Sequence, residues 1–210
     1  MDTRRRRRRR PRVLHYLRHV HGTGPSYRIV TLTAFADVAA LAAAQDRVEH
    51  GDLAPLAARM DELRHSVTTK TVRPLPWSVD ALDLAAVPTA DVDHRAAVFM
   101  EDTVWPDQGK IAEYIERSGA HYARWMASDE HDETELLRIE AAYQSVYGGG
   151  IRNEIILWQR VTRLDWMPGL LIMEVPEHLK APGTWMHDAL QLRDQWESKL
   201  LRSTRWSPLP

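Results

Sequence analysis

Two adjacent carboxylates lie inside an apolar run, Val98-Phe-Met-Glu-Asp-Thr-Val-Trp105. Successive side chains of a strand point to opposite faces, so either Glu101 or Asp102 must enter an apolar interior. A carboxylate there needs a partner. It is either a general base with a raised pKa, opposite His121 or Arg160, or one half of an ion pair with an arginine. His121 flanks the apolar stripe Ile111, Tyr114, Ile115, Tyr122, Trp125 and Met126. A histidine in that position is either an acid–base group or a hydrogen-bonded packing residue. Glu101 and His121 are therefore the candidate catalytic residues, and Trp105, Ile156, Trp158 and Arg160 are the candidate lining of a ligand pocket. Core packing is the alternative role for the tryptophans.

Other constellations carry less chemistry. Asp129-Glu-His-Asp-Glu133 has metal-ligating side chains but neither the glycine of a calcium loop nor a His pair at helical spacing, so it reads as a solvated connection. His187-Asp188 are neighbours on a predicted helix, where adjacent side chains do not face each other. Gly148-Gly-Gly150 leads into a strand rather than a helix N-terminus and so is not a phosphate loop. No metal site and no cofactor is expected.

With 210 residues, 44% apolar content and eight tryptophans, the chain is long and apolar enough to fold as a globular protein. Its apolar runs fall short of the ~18 residues that cross a bilayer, so no membrane is expected as a partner. The absence of cysteine excludes disulfides and thiolate metal sites and fits a reducing, cytoplasmic location. Arg4 to Arg10 contribute +7 to a net charge of −1, which leaves −8 on the rest. Such a run packs against nothing and offers counterion-release binding to nucleic acid. It has no interleaved aromatic residues and reads as an incidental tail, so nucleic acid is not the expected partner.

These candidates are positioned by a series of short elements. Periodicity predicts a helix end over residues 13–21, a strand over 27–35, and helices over 38–48 and 53–67 capped by Asp37 and Asp52. A closing strand follows over 68–72. The second half reads as strand 97–105, helices 110–127 and 135–146, strand 154–161, a short helix over 163–173, a helix over 184–200 and a strand over 201–206.

The halves echo each other. Placing Gly22 on Gly148 superposes Val20 on Val146, Ile29 on Ile155 and Val30 on Ile156; after a three-residue shift, Val72-Arg73 falls on Leu201-Arg202 and Trp77-Ser78 on Trp206-Ser207. This is the mark of an internal duplication. The chain then divides into a tail over 1–12, a first unit over 13–80, a linker over 81–96 and a second unit over 97–210. Each unit is ferredoxin-like, and the two sheets, packed face to face, form an α+β barrel. The second unit spends 42 residues, Ala97 to Arg138, ahead of the position matching Val13, where the first has twelve. The first unit therefore reads as N-terminally truncated, with an open sheet edge suited to homodimerisation.

Gly148-Gly-Gly-Ile-Arg-Asn-Glu-Ile-Ile-Leu-Trp-Gln-Arg160 and Val98-Phe-Met-Glu-Asp-Thr-Val-Trp-Pro-Asp-Gln-Gly-Lys110 resemble the NIPSNAP family, with its glycine turn, Asn-led apolar strand and Gly-Lys helix start. Where that family often carries a histidine before the Leu-Trp pair, this chain has Ile156. The resemblance implies a dimeric α+β barrel, often in tandem, and no settled activity. The expected function is the handling of a small organic molecule in an apolar, aromatic-lined cavity, catalytic or not. The alternative is a protein-interaction module using the sheet edge or a tryptophan-rich surface.

Overall fold

The computed structural model describes residues 10–78, 82–89, 92–127, 136–150, 152–172, 174 and 176–210, with side chains described except at 123–127, 170 and 171. The fold is α+β. Seven strands, β1 (Arg12–His19), β2 (Ile29–Ala34), β3 (Thr71–Pro74), β4 (Val98–Pro106), β5 (Leu137–Tyr147), β6 (Ile155–Val161) and β7 (Arg193–Ser203), form one antiparallel sheet in the order β2-β1-β7-β4-β6-β5-β3. Among the described residues there are five α-helices: α1 (Val38–Glu49), α2 (Ala54–Asp61), α3 (Ile111–Ala127), α4 (Met167–Ile172) and α5 (Trp185–Asp188).

Three predicted helices are wrong. Residues 13–21 and 135–146 contain β1 and β5, and the span 184–200 is a four-residue helix followed by most of β7. The cause is local. Pairing shifts by one residue at Leu14 in β1 and at Glu140 in β5. Each bulge breaks the two-residue alternation and leaves apolar spacings of three and four, the signature of a helix. Other expectations hold with altered ends. Asp37 caps α1, its Oδ1 accepting from Ala40 N at 2.7 Å. Asp52 caps nothing and instead pairs with Arg47 at 2.8 Å.

The helix-bearing face of the sheet is packed by α3, whose Tyr114 is fully buried among Leu75, Val104, Ala142, Ile155, Leu157 and Leu192. Burying one such aromatic side chain contributes roughly 2–3 kcal/mol. Met167 of α4 extends the layer over Met100, Val161 and Leu200. On the opposite face Leu17, Phe99, Trp158 and Leu201 are buried in a cluster joined by Val30, Leu32 and Tyr143. That cluster links β2, at one edge, with β5, next to the other. A sheet can bring such distant strands together only by curling, here into a half-barrel whose inner face this is. By contrast α1 and α2 bury no side chain, and Val38 and Leu56 are exposed.

The pairing pattern recurs along the chain. In the β1–β2 ladder Arg12, Val13, His15, Tyr16, Leu17 and Arg18 face Ala34, Thr33, Leu32, Thr31, Val30 and Ile29. In the β5–β6 ladder Arg138, Ile139, Ala141, Ala142, Tyr143 and Gln144 face Arg160, Gln159, Trp158, Leu157, Ile156 and Ile155. Each residue of the second set lies 126 positions after its equivalent in the first, bulge included. The junctions between the halves behave likewise. Leu17, Arg18 and His19 face Ser203, Arg202 and Leu201, while Tyr143, Gln144 and Ser145 face Pro74, Arg73 and Val72. The strands of the two halves thus join edge to edge in one continuous sheet, instead of forming the two separate sheets expected from sequence.

Candidate functional site

The inner face gathers most of the chemically able side chains. Cross-strand pairing sets Glu101 opposite Trp158 and Lys199, Phe99 opposite Arg160 and Leu201, and Thr103 opposite Ile156. Residues directly opposite one another in a ladder share a face, so Phe99, Glu101, Trp158 and Arg160 all belong to this one. Phe99 and Trp158 stack with centroids 4.9 Å apart, and the Arg160 guanidinium lies 5.0 Å above the Phe99 ring. From β1, His15 meets Phe99 edge-on at 4.8 Å and Trp158 at 5.7 Å. Arg160 Nε donates to Glu140 at the β5 bulge, and Glu101 lies 3.5 Å from Lys199 Nζ.

Electrostatics separates these groups. His15 is 5% exposed, and burial lowers its pKa to about 4, an effect that Glu140 opposes and Arg160 reinforces. It is neutral at pH 7. A neutral imidazole has one N–H donor and one acceptor nitrogen. His15 Nδ1 and the indole Nε1 of Trp158 are buried with no hydrogen-bond partner among the described residues. Two unpartnered nitrogens beside an Arg–Glu pair can bind a small polar group. Leaving each unmet costs about 1–3 kcal/mol.

The predicted site residues separate. Glu101, Ile156, Trp158 and Arg160 share the inner face, and Trp105 sits at the end of β4, its carbonyl accepting from Arg152 Nη2 at 3.1 Å. His121 does not join them. It stands on α3, across the sheet, stacked on Trp185 at 5.5 Å and edge-on to Tyr122 at 5.0 Å. The helix-bearing face there is an aromatic layer in which Trp185 Nε1 donates to the Tyr122 hydroxyl at 2.9 Å. Glu101 and His121 therefore make no acid–base pair, because the sheet lies between them. Nor does Arg160 pair with Glu101, since Glu140 takes it.

Asp102, the neighbour of Glu101, turns to the helix-bearing face. There it accepts from Gln159 Nε2 at 2.7 Å and Ser198 Oγ at 2.5 Å, and burial raises its pKa. His187 and Asp188 do approach, Nδ1 to Oδ1 at 3.1 Å, although Asp188 also binds Arg117. The acidic stretch 129–133, the Trp125 side chain and Arg4 to Arg9 lie outside the described residues. Among the described residues no group of three or more His, Asp or Glu side chains can hold a metal ion, and no helix is long and apolar enough to cross a membrane.

Sequence reasoning missed His15, Glu140 and Lys199, all on segments read as helices. The signal present was His15-x-Leu17-x-His19, an alternation hidden by the bulge one residue earlier. The inner face is also more tightly filled than a ligand chamber, with Phe99, Leu17 and Leu201 fully buried. Two open clefts, of about 340 and 420 Å3, lie around Trp206, the first lined by Arg18, His94, Arg202 and Arg205 and the second by His94 and Arg205. No protein-family model, no curated protein and no solved structure matches this chain.

Proposed function

We propose that this protein is a tandem, ferredoxin-like α+β barrel that binds a small organic molecule through a hydroxyl group on its inner face, the packed side chains around His15 and Trp158 moving apart to admit it. The reading rests on the unpartnered pair His15 Nδ1 and Trp158 Nε1, whose rings lie 5.7 Å apart. In the tautomer that carries its proton on Nε2, His15 Nδ1 is an acceptor. Trp158 Nε1–H is a donor only. An alcohol, phenol or enol both donates and accepts, and so satisfies the two together; a carboxylate satisfies only the tryptophan. Arg160, held by Glu140, lies beside any negative charge that develops on the oxygen.

The recurrence of strand pairing across the two halves supports the duplicated architecture; the resemblance to the NIPSNAP family rests on the sequence motifs alone. In this reading Trp158, Arg160 and His15 orient the ligand and Ile156 supplies apolar wall.

Titration with simple phenols and enols, followed by tryptophan fluorescence and native mass spectrometry at neutral pH, tests the reading. Saturable one-to-one binding that Trp158→Phe and His15→Phe each weaken at least tenfold supports it. Binding indifferent to both substitutions, or none, means that the two nitrogens are bridged by water only.

A further inference from the structure

The two junctions between the halves share a register but not a pairing chemistry. Where β3 meets β5, Arg73 faces Gln144, and its Nε and Nη2 donate to Gln144 Oε1 at 3.2 and 2.8 Å. Where β1 meets β7, the residues in the equivalent places are Arg202 and Arg18, and they face each other directly. Gln144 lies 126 positions after Arg18 and Arg202 lies 129 after Arg73, the register of the repeat with its three-residue shift. Like charges directly opposite in a ladder repel, and a guanidinium has five N–H donors and no acceptor. One junction therefore holds a donor with its acceptor, and the other holds two donors.

The two donors open onto a cleft. Arg18 and Arg202 are exposed, and with Arg205, Thr204 and Trp206 they line the cleft of about 340 Å3, whose lining contains no carboxylate. Among the described residues Arg18, Arg202 and Arg205 form neither an ion pair nor a hydrogen bond through the guanidinium. Arg205 is instead held 5.1 Å over the Trp206 ring. Thr204 Oγ1 is buried and also lacks a hydrogen-bond partner among the described residues. Trp206 is 55% exposed, so part of its indole is open to whatever enters the cleft. Asp93 lines the adjoining cleft and forms no ion pair with Arg205.

We infer that this cleft binds a small organic phosphate monoester, its phosphate between Arg18, Arg202 and Arg205 and its carbon portion against Trp206. A phosphate monoester is close to a dianion at neutral pH and presents three acceptor oxygens, enough to engage three guanidiniums and the Thr204 hydroxyl together. A carboxylate brings one charge and two oxygens, which a single arginine fork satisfies. The bound phosphate supplies between Arg18 and Arg202 the acceptor that Gln144 supplies to Arg73. The cleft lies at the small end of the ~300–1,000 Å3 range of ligand sites, which fits a compact ligand, and the indole offers it an apolar platform.

Phenyl phosphate is the probe, titrated calorimetrically into the full-length protein in phosphate-free buffer at neutral pH, with inorganic phosphate and benzoate as the comparison ligands. The expected result is one-to-one binding of phenyl phosphate that Arg18→Gln and Arg202→Gln each weaken at least tenfold. Arg18→Gln reproduces the pairing of Arg73 with Gln144, so in phosphate-free buffer it should melt no lower than the wild type, yet lose the rise in Tm that phenyl phosphate gives the wild type. Trp206→Ala, at an exposed position, should weaken phenyl phosphate more than inorganic phosphate. Three results would overturn the inference: no binding of phenyl phosphate by the wild type, binding that survives both arginine substitutions and so belongs to Arg4 to Arg10 or another surface, or benzoate binding as tightly as phenyl phosphate.

Discussion

Lowering the pH should destabilise this protein through His15. The unfolded imidazole has the ordinary pKa of 6.5, whereas the folded one is lowered to about 4 by burial against Phe99 and Trp158. The folded value is the depressed one, so between the two values the unfolded chain binds more protons. The stabilisation is present above pH 6.5 and is lost as the pH falls toward 4. Linkage gives a loss of about 2 kcal/mol by pH 5 and about 3 kcal/mol by pH 4 from this residue alone. Asp102 has the opposite sign: burial raises its folded pKa, so its contribution declines as the pH rises through that value. The two are separated by urea unfolding of the wild type and of His15→Phe at several pH values, since their difference cancels every other group. The variant should lack the loss. Parallel pH dependence of the two proteins between pH 7 and pH 5 would refute the reasoning, and would mean that His15 is solvated or paired as its charged form.

Further outcomes follow from single contacts. Gly22 and Gly148 occupy equivalent turns with φ of 80° and 77°, but a Cβ at Gly148 would collide with the Thr69 carbonyl while one at Gly22 meets nothing. Gly148→Ala should therefore cost about 2–4 kcal/mol and Gly22→Ala about 1 kcal/mol, measured by thermal melting. Lys70 Nζ binds the buried carboxylate of Glu154 at 2.6 Å across the junction of the halves. Lys70→Met strands that charge and should cost about 2 kcal/mol, with Glu154→Gln in the same background restoring part of it. Phe99 is fully buried at the centre of the inner face. Phe99→Ala should cost about 3–5 kcal/mol and make unfolding visible at lower denaturant.

Much of the architecture was legible in the amino-acid order, even where the elements were misread. The register that places Gly22 on Gly148 also places β2 on β6. It holds for β1 and β5 too, although both segments look helical. A register depends on matching residues, not on knowing their conformation, so one error made twice leaves it intact. The α3 stripe and the Asp37 cap were readable for a different reason: both are local, set by residues a turn apart.

The site was less legible. That Glu101 and Asp102 point to opposite faces followed from the strand itself, but which face holds a partner did not. His121 was paired with Glu101 by chemistry alone, and the sheet lies between them. His15 and Glu140 reach the inner face through bulges, which re-aim a side chain by one position and erase the pattern that would have revealed it. The sequence by itself therefore determined the 126-residue register, the turns and the helix-bearing face. Only the tertiary structure decided which carboxylate Arg160 binds, which nitrogens lack a partner and where the sheet ends, because pairing across a curled sheet joins residues whose order along the chain carries no trace of their proximity.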